Sequence, residues 1–172
     1  AFLHSTNIIF FETFSQSNIL VSELGRCYLA DFGLTTTVLQ SFSSSTGDSR
    51  GSTRWMAPEL FYPRYSKPST STDMYALGCT ILEIITGVLP FSEISSDVAV
   101  ISHVMNGFHP SCPARRFSDE VWGVVKECWE DSDRRPSIQD FAYELHKHYS
   151  RRANEDASSE TYLLTGKSTL PG

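Results

Sequence analysis

The sequence has 172 residues, 40% hydrophobic, 12% aromatic and 20% charged, with fourteen Lys and Arg against twenty Asp and Glu for a formal charge of −6. That length suits one domain with one core, and the acidic balance excludes the basic patch of a nucleic-acid surface. No apolar run nears the roughly 18 residues of a membrane-spanning helix, and no charged and apolar leader pair opens the chain at Ala1. The four cysteines, Cys27, Cys79, Cys112 and Cys128, form no CxxC pair. They read as reduced, mostly buried thiols of an intracellular, cytoplasmic protein.

In chain order, residues 1–6 read as a helix end and residues 7–11 as a short apolar run. Residues 18–21 and 27–30 are apolar bursts around Glu23-Leu24-Gly25-Arg26, the pattern of a small hairpin. Residues 35–54 are mostly Ser, Thr, Gly and Asp and read as a long loop, a length that inside a domain is more often functional than idle. Thr72-Asp73 can cap a helix with Met74, Ala76, Leu77, Thr80, Ile81, Ile84 and Ile85 nearly encircling it, a central core helix. Gly87 and Pro90 stop it. A shorter helix spans 97–105 and ends at Asn106-Gly107. Ser118 caps a third, with Val121, Trp122, Val125 and Cys128 inward, and Pro136 suits the first turn of a fourth carrying Ile138, Phe141, Ala142 and Leu145 on one stripe. After about Ser150 the chain turns polar and aperiodic. The expected architecture is mainly α, a helical bundle around a central buried helix with one hairpin and one long loop, as a domain over 1–149 and a disordered polar tail over 150–172.

Asp31-Phe32-Gly33 follows an apolar strand, and Ala57-Pro58-Glu59 closes the long loop. D-F-G alone is a weak tripeptide. Here NILV, YLADFGL, GSTRWMAPELF, DMYALGCTILEIITGVLPF and CWEDSDRRPS follow one another in a fixed order, and together they are very specific. Over residues 1–149 the sequence resembles the C-terminal lobe of a eukaryotic protein kinase, of the tyrosine-kinase-like serine/threonine type, and its phrasing looks like that of fungal members. The resemblance implies that Asp31 chelates the Mg²⁺ bridging the phosphates of ATP and that Asn18 holds a second Mg²⁺. It places Ser52 where serine/threonine kinases carry a threonine near the catalytic Asp. Glu59 and Arg135 would form a buried ion pair, and Asp73 would accept backbone N–H bonds from the catalytic loop. The residues themselves allow plainer readings. Asp31 suits a turn before glycine, Asn18 an Asx turn opening the hairpin, and Asp73 a helix N-cap. Ser41, Ser43, Ser44, Ser45, Thr46 and Ser49 suit phosphorylation sites and a solvated loop equally well.

The pattern breaks at the catalytic loop, H-R-D-x-K-x-x-N in the family. Counting back from Asn18, Thr13 takes the place of the Asp, Ser15 of the Lys, Glu12 of the Arg and Phe11 of the His. Thr13 is no base near neutral pH, Ser15 brings no charge to the γ-phosphate, and Glu12 serves as base only if the loop slips by one residue. General-base catalysis alone is worth about 10²–10⁴-fold. All four lysines follow D-F-G and no G-x-G-x-x-G occurs, so the N-lobe clamp on ATP is missing from this stretch. The expectation is a kinase-domain fragment, inactive as an isolated chain, with a protein substrate or a protein partner and neither nucleic acid nor membrane. Two alternatives stand beside it. One is a pseudokinase-type binding module whose N-lobe-facing surface takes a partner. The other is a frame-shifted remnant, since codons for residues 11–16 can spell Arg-Asp-Leu-Gln-Pro in another frame.

Overall fold

The computed structural model describes residues 19–29, 53–62, 67–111 and 117–165. Ile19–Val21 (β1) and Cys27–Leu29 (β2) pair antiparallel, with Ile19 opposite Leu29 and Val21 opposite Cys27. The turn between them is closed by its own polar groups. The Ser22 N–H donates to the Arg26 carbonyl at 2.9 Å, and the Ser22 hydroxyl accepts from the Arg26 N–H at 3.1 Å. Gly25 sits at φ 72°, left-handed backbone that costs a residue with a Cβ about 1 kcal/mol or more. The expected hairpin is present. Its Leu20, Val21, Leu24 and Tyr28 are exposed, Leu24 by 84%.

Two 3-10 turns, Thr53–Trp55 and Pro58–Phe61, follow. Trp55, Met56, Ala57 and Leu60 are buried, so residues 53 and 54 belong to the packed domain and not to the loop the composition suggested. Next comes the central helix α1, Thr70–Thr86. Its cap is Ser69, upstream of the expected Thr72-Asp73. The Ser69 hydroxyl accepts from the Thr72 N–H at 3.3 Å, and the Thr72 hydroxyl accepts from the Ser69 N–H at 2.9 Å. This is a capping box closed by threonine, a residue that sequence rules do not seek at that position. Met74, Tyr75, Ala76, Cys79 and Leu82 are buried, as are the polar Asp73, Thr80 and Glu83. The apolar surround is incomplete: Ile84 is 53% exposed. Gly87, at φ 72°, ends the helix by donating its N–H to the Glu83 carbonyl.

Helix α2 spans Asp97–Met105 and buries Val100 and Val104. Helix α3 spans Asp119–Glu127, where the Ser118 hydroxyl accepts from the Val121 N–H at 3.4 Å. It buries Val124 and Val125, while Val121 and Trp122 are half-buried. Helix α4 spans Ile138–Thr165. Its first turn is held by Ser137, whose hydroxyl accepts from the Asp140 N–H at 3.1 Å, so Pro136 lies just outside. α4 also overrides the expected tail: residues 150–165 are helical. No glycine or proline interrupts the chain there until Gly166, and a helix with nothing to break it continues without an apolar stripe. Residues 166–172 lie outside the described set.

α1 and the end of α3 approach closely at Gly78. A Cβ there would lie 2.7 Å from Cys128 Cβ and 2.9 Å from Trp129 Nε1. Trp129 meets Trp122 edge-on at 5.6 Å, and Trp122 meets Phe117 at 5.1 Å. Burial pushes the Cys128 thiol up to about 12 and raises the Cys79 thiol well above its usual value. Because the thiolate is the reactive form, iodoacetamide on the native chain is expected to label the exposed Cys27 and to spare Cys79 and Cys128. Peptide mass spectrometry before and after denaturation checks this.

Candidate functional site

The site is built where the end of the long segment meets the start of α1 and the turn before α4. Glu59 stands in the second 3-10 turn, and Arg135 lies between α3 and α4. The two guanidinium nitrogens of Arg135 reach the two Glu59 carboxylate oxygens at 2.6 and 3.0 Å. Such a fork-to-fork pair matches planar guanidinium to carboxylate, which lysine cannot do. The same side chain donates to the Ser71 carbonyl at 3.0 Å and the Glu130 carbonyl at 2.9 Å. Its guanidinium carbon also lies 5.2 Å from the centre of the buried Tyr75 ring. Arg135 is 1% exposed and Glu59 22%. The pair is therefore sealed on the arginine side and open to water on the carboxylate side.

A second tether was not singled out from the sequence. Arg54 donates to the carbonyls of Pro90 at 3.0 Å, Phe91 at 2.7 Å and Ile94 at 2.8 Å, and pairs with Asp97 at 3.2 Å. One side chain thus joins the first 3-10 turn to the α1–α2 loop and the first turn of α2. Phe91 sits there at φ 55°, a strained conformation for a bulky residue, with its ring buried. The readable signal was a lone charge beside the apolar stretch Trp55-Met56-Ala57-Pro58. A charge in such company needs a partner.

Asp73 is 1% exposed in the first turn of α1, where a carboxylate meets the positive helix end. It is not the N-cap, a place Ser69 takes. The catalytic-loop positions of the resemblance, Glu12, Thr13 and Ser15, lie outside the described residues, as do Asn18, Asp31 and Ser52. Among the described residues no group of three His, Cys, Asp or Glu side chains is placed to hold a metal ion.

A family profile described as protein tyrosine and serine/threonine kinase matches residues 1–145. The chain belongs to the protein kinase family. Mitogen-activated protein kinase kinase kinase 2 of Arabidopsis thaliana is 31% identical over 174 residues, 99% of this chain and 26% of that relative. Serine/threonine/tyrosine-protein kinase HT1 of the same plant is 30% identical over 149 residues, covering 86% of this chain and 36% of the relative. Mitogen-activated protein kinase kinase kinase 1b of Physcomitrium patens is 36% identical over 134 residues, 75% of this chain and 16% of the relative. The chain thus spans between about a sixth and a third of these curated relatives. These serine/threonine and tyrosine-kinase-like relatives agree with the resemblance read from the motifs, and the described helices and hairpin form a kinase lower lobe. Protein kinases as a family use ATP and Mg²⁺ and act on protein substrates. No described helix is long and apolar enough to cross a membrane.

Proposed function

We propose that this 172-residue kinase lower lobe docks other proteins and by itself transfers no phosphate. The observation that carries the reading is Thr13 at the place of the catalytic base, with Ser15 at the place of the charge-balancing lysine. A threonine hydroxyl takes up no proton near pH 7, and a serine offers the γ-phosphate no positive charge. The described scaffold is nevertheless held by Glu59–Arg135 and by Arg54. In this reading Asp31 and Asn18 would supply the hard oxygen donors that Mg²⁺ prefers. They would hold the ion, which would supply positive charge to nucleotide phosphates, but no G-x-G-x-x-G and no lysine before D-F-G stands in this sequence to retain the nucleotide above them. In this reading Ser52 lies on the segment that meets a protein substrate, and Asp73 holds the backbone of the catalytic loop. The exposed Leu20, Val21, Leu24 and Tyr28 form an apolar hairpin surface for a partner. The exposed thiol of Cys27 suits a reducing, cytoplasmic compartment.

Thermal unfolding of the chain during a titration with Mg·ATP tests this. A ligand bound only by the native state at 100 times its dissociation constant adds about 2.7 kcal/mol, a shift of several degrees. We expect no shift at millimolar nucleotide and no labelling of a protein substrate from γ-labelled ATP. Labelling that disappears in Asp31→Ala would overturn the reading. A competing account, an active kinase whose catalytic loop is hidden by a frame shift, is favoured by the alternative frame of codons 11–16. Transcript sequencing across codons 9–18 separates the two, since an uninterrupted frame encoding FFETFSQ removes the competitor.

A further inference from the structure

The loop between α1 and α2 carries few bonds of its own. Ser92, Glu93, Ser95 and Ser96 are exposed, and inside the loop the Ile94 N–H donates to the Phe91 carbonyl at 2.9 Å. Helix α2 also begins without a side-chain cap. Ser96 stands at the N-cap position, but its hydroxyl makes no bond to the first turn. Such a start frays readily, because the leading N–H groups have no partner within the helix. At Phe91 the backbone takes φ 55° while the side chain points inward, 1% exposed. That conformation is strained for a bulky residue and persists only where its surroundings impose it.

The surroundings that impose it converge on Arg54. Its guanidinium donates to the Pro90, Phe91 and Ile94 carbonyls at 3.0, 2.7 and 2.8 Å and meets the Asp97 carboxylate at 3.2 Å. The Arg54 side chain is 13% exposed, a setting in which charge-assisted bonds gain strength. The Phe91 ring in turn meets His103 edge-on at 6.0 Å, and His103 stacks on Phe108 at 4.3 Å. The arrangement thus reaches from the first 3-10 turn to the far end of α2.

We infer that Arg54 is the catch of a strap, residues 90–97, which is closed while Phe91 is held in its strained conformation. When the catch lets go, Phe91 relaxes. The strap, the first turn of α2 and the 3-10 turn at Thr53–Trp55 then open as one unit, while α3 stays folded. Because coupling between two parts of one equilibrium is reciprocal, displacing the turn at Thr53–Trp55 loosens α2, and loosening α2 frees that turn. This holds with or without a phosphate step and does not rest on the docking reading.

Hydrogen exchange on the full chain, followed amide by amide by NMR, tests this together with limited proteolysis by a protease that cuts after glutamate. Arg54→Met keeps much of the stem and removes every donor. We expect it to speed exchange at Ile94 and Val100, and cleavage after the exposed Glu93, at least about tenfold, or 1.4 kcal/mol of opening free energy. Exchange at Val124 and Val125 in α3, and cleavage after Glu127, should change less than about threefold. Arg54→Lys restores part of the closure, since an ammonium cannot reproduce the guanidinium fork. Asp97→Asn keeps all three carbonyl bonds and so guards against a first variant that fails to fold. In it the Met56 amide, bonded to the Thr53 carbonyl at 3.3 Å, should speed up together with the Ile94 amide. Equal acceleration in α3 would reduce Arg54 to a contributor to overall stability and overturn the strap. Faster exchange at Ile94 with Met56 unchanged would overturn the coupling, and an unchanged strap in Asp97→Asn and Arg54→Met would overturn the catch.

Discussion

Arg135→Ala is expected to lower the melting temperature of this chain by roughly 10 °C. Removing one partner of a buried ion pair costs about 3–5 kcal/mol, because the other charge loses its compensation. In a protein of this size each kcal/mol moves the midpoint by about 2–4 °C. Arg135 loses more than Glu59 when truncated: its bonds to the Ser71 and Glu130 carbonyls and its contact with the Tyr75 ring go too. Arg135→Lys should recover only part of the loss, since an ammonium cannot span both carboxylate oxygens. Glu59→Gln should cost less than Arg135→Ala, because Glu59 is 22% exposed and glutamine keeps one carbonyl acceptor. Urea denaturation of the two single variants and the double variant measures their coupling. A fall of less than about 2 °C for Arg135→Ala would mean that the tether contributes little.

Gly78→Ala should destabilise the chain by about 1–3 kcal/mol, against the usual preference of helices for alanine. The added methyl would sit 2.7 Å from Cys128 Cβ and 2.9 Å from Trp129 Nε1. Neither neighbour is the free end of a flexible side chain, so backbone must move. Gly123, inside α3, is the contrast. Nothing lies within 4 Å of a Cβ added there, so Gly123→Ala should stabilise by up to about 1 kcal/mol through propensity alone. The pair of variants separates a glycine required by close approach from one that is merely tolerated, and their denaturation midpoints should move in opposite directions.

Much of the lobe was legible before any coordinates. Helix α2 and the Ser118 cap of α3 follow from local rules, because a cap and an apolar stripe lie within a few residues of each other. Misplaced boundaries had local causes too. Threonine closed the capping box at Ser69, and α4 ran on to Thr165 because helix propensity does not require a buried face. The candidate site was legible in its residue types and order. Glu59 and Arg135 stand 76 positions apart, and only the ordered motifs suggested that they meet.

The ordered motifs also assigned the chain to the kinase lower lobe, because that statement depends on residue identity at set spacings. Tertiary structure alone decided what depends on distance between separated segments. It bound Arg54 to three carbonyls on the α1–α2 loop and pressed Gly78 against Cys128. It also buried the Tyr75 hydroxyl with no hydrogen-bond partner among the described residues. No local pattern encodes these, since each comes from packing one element's surface against another's, where a shift of about one ångström turns contact into clash or a void.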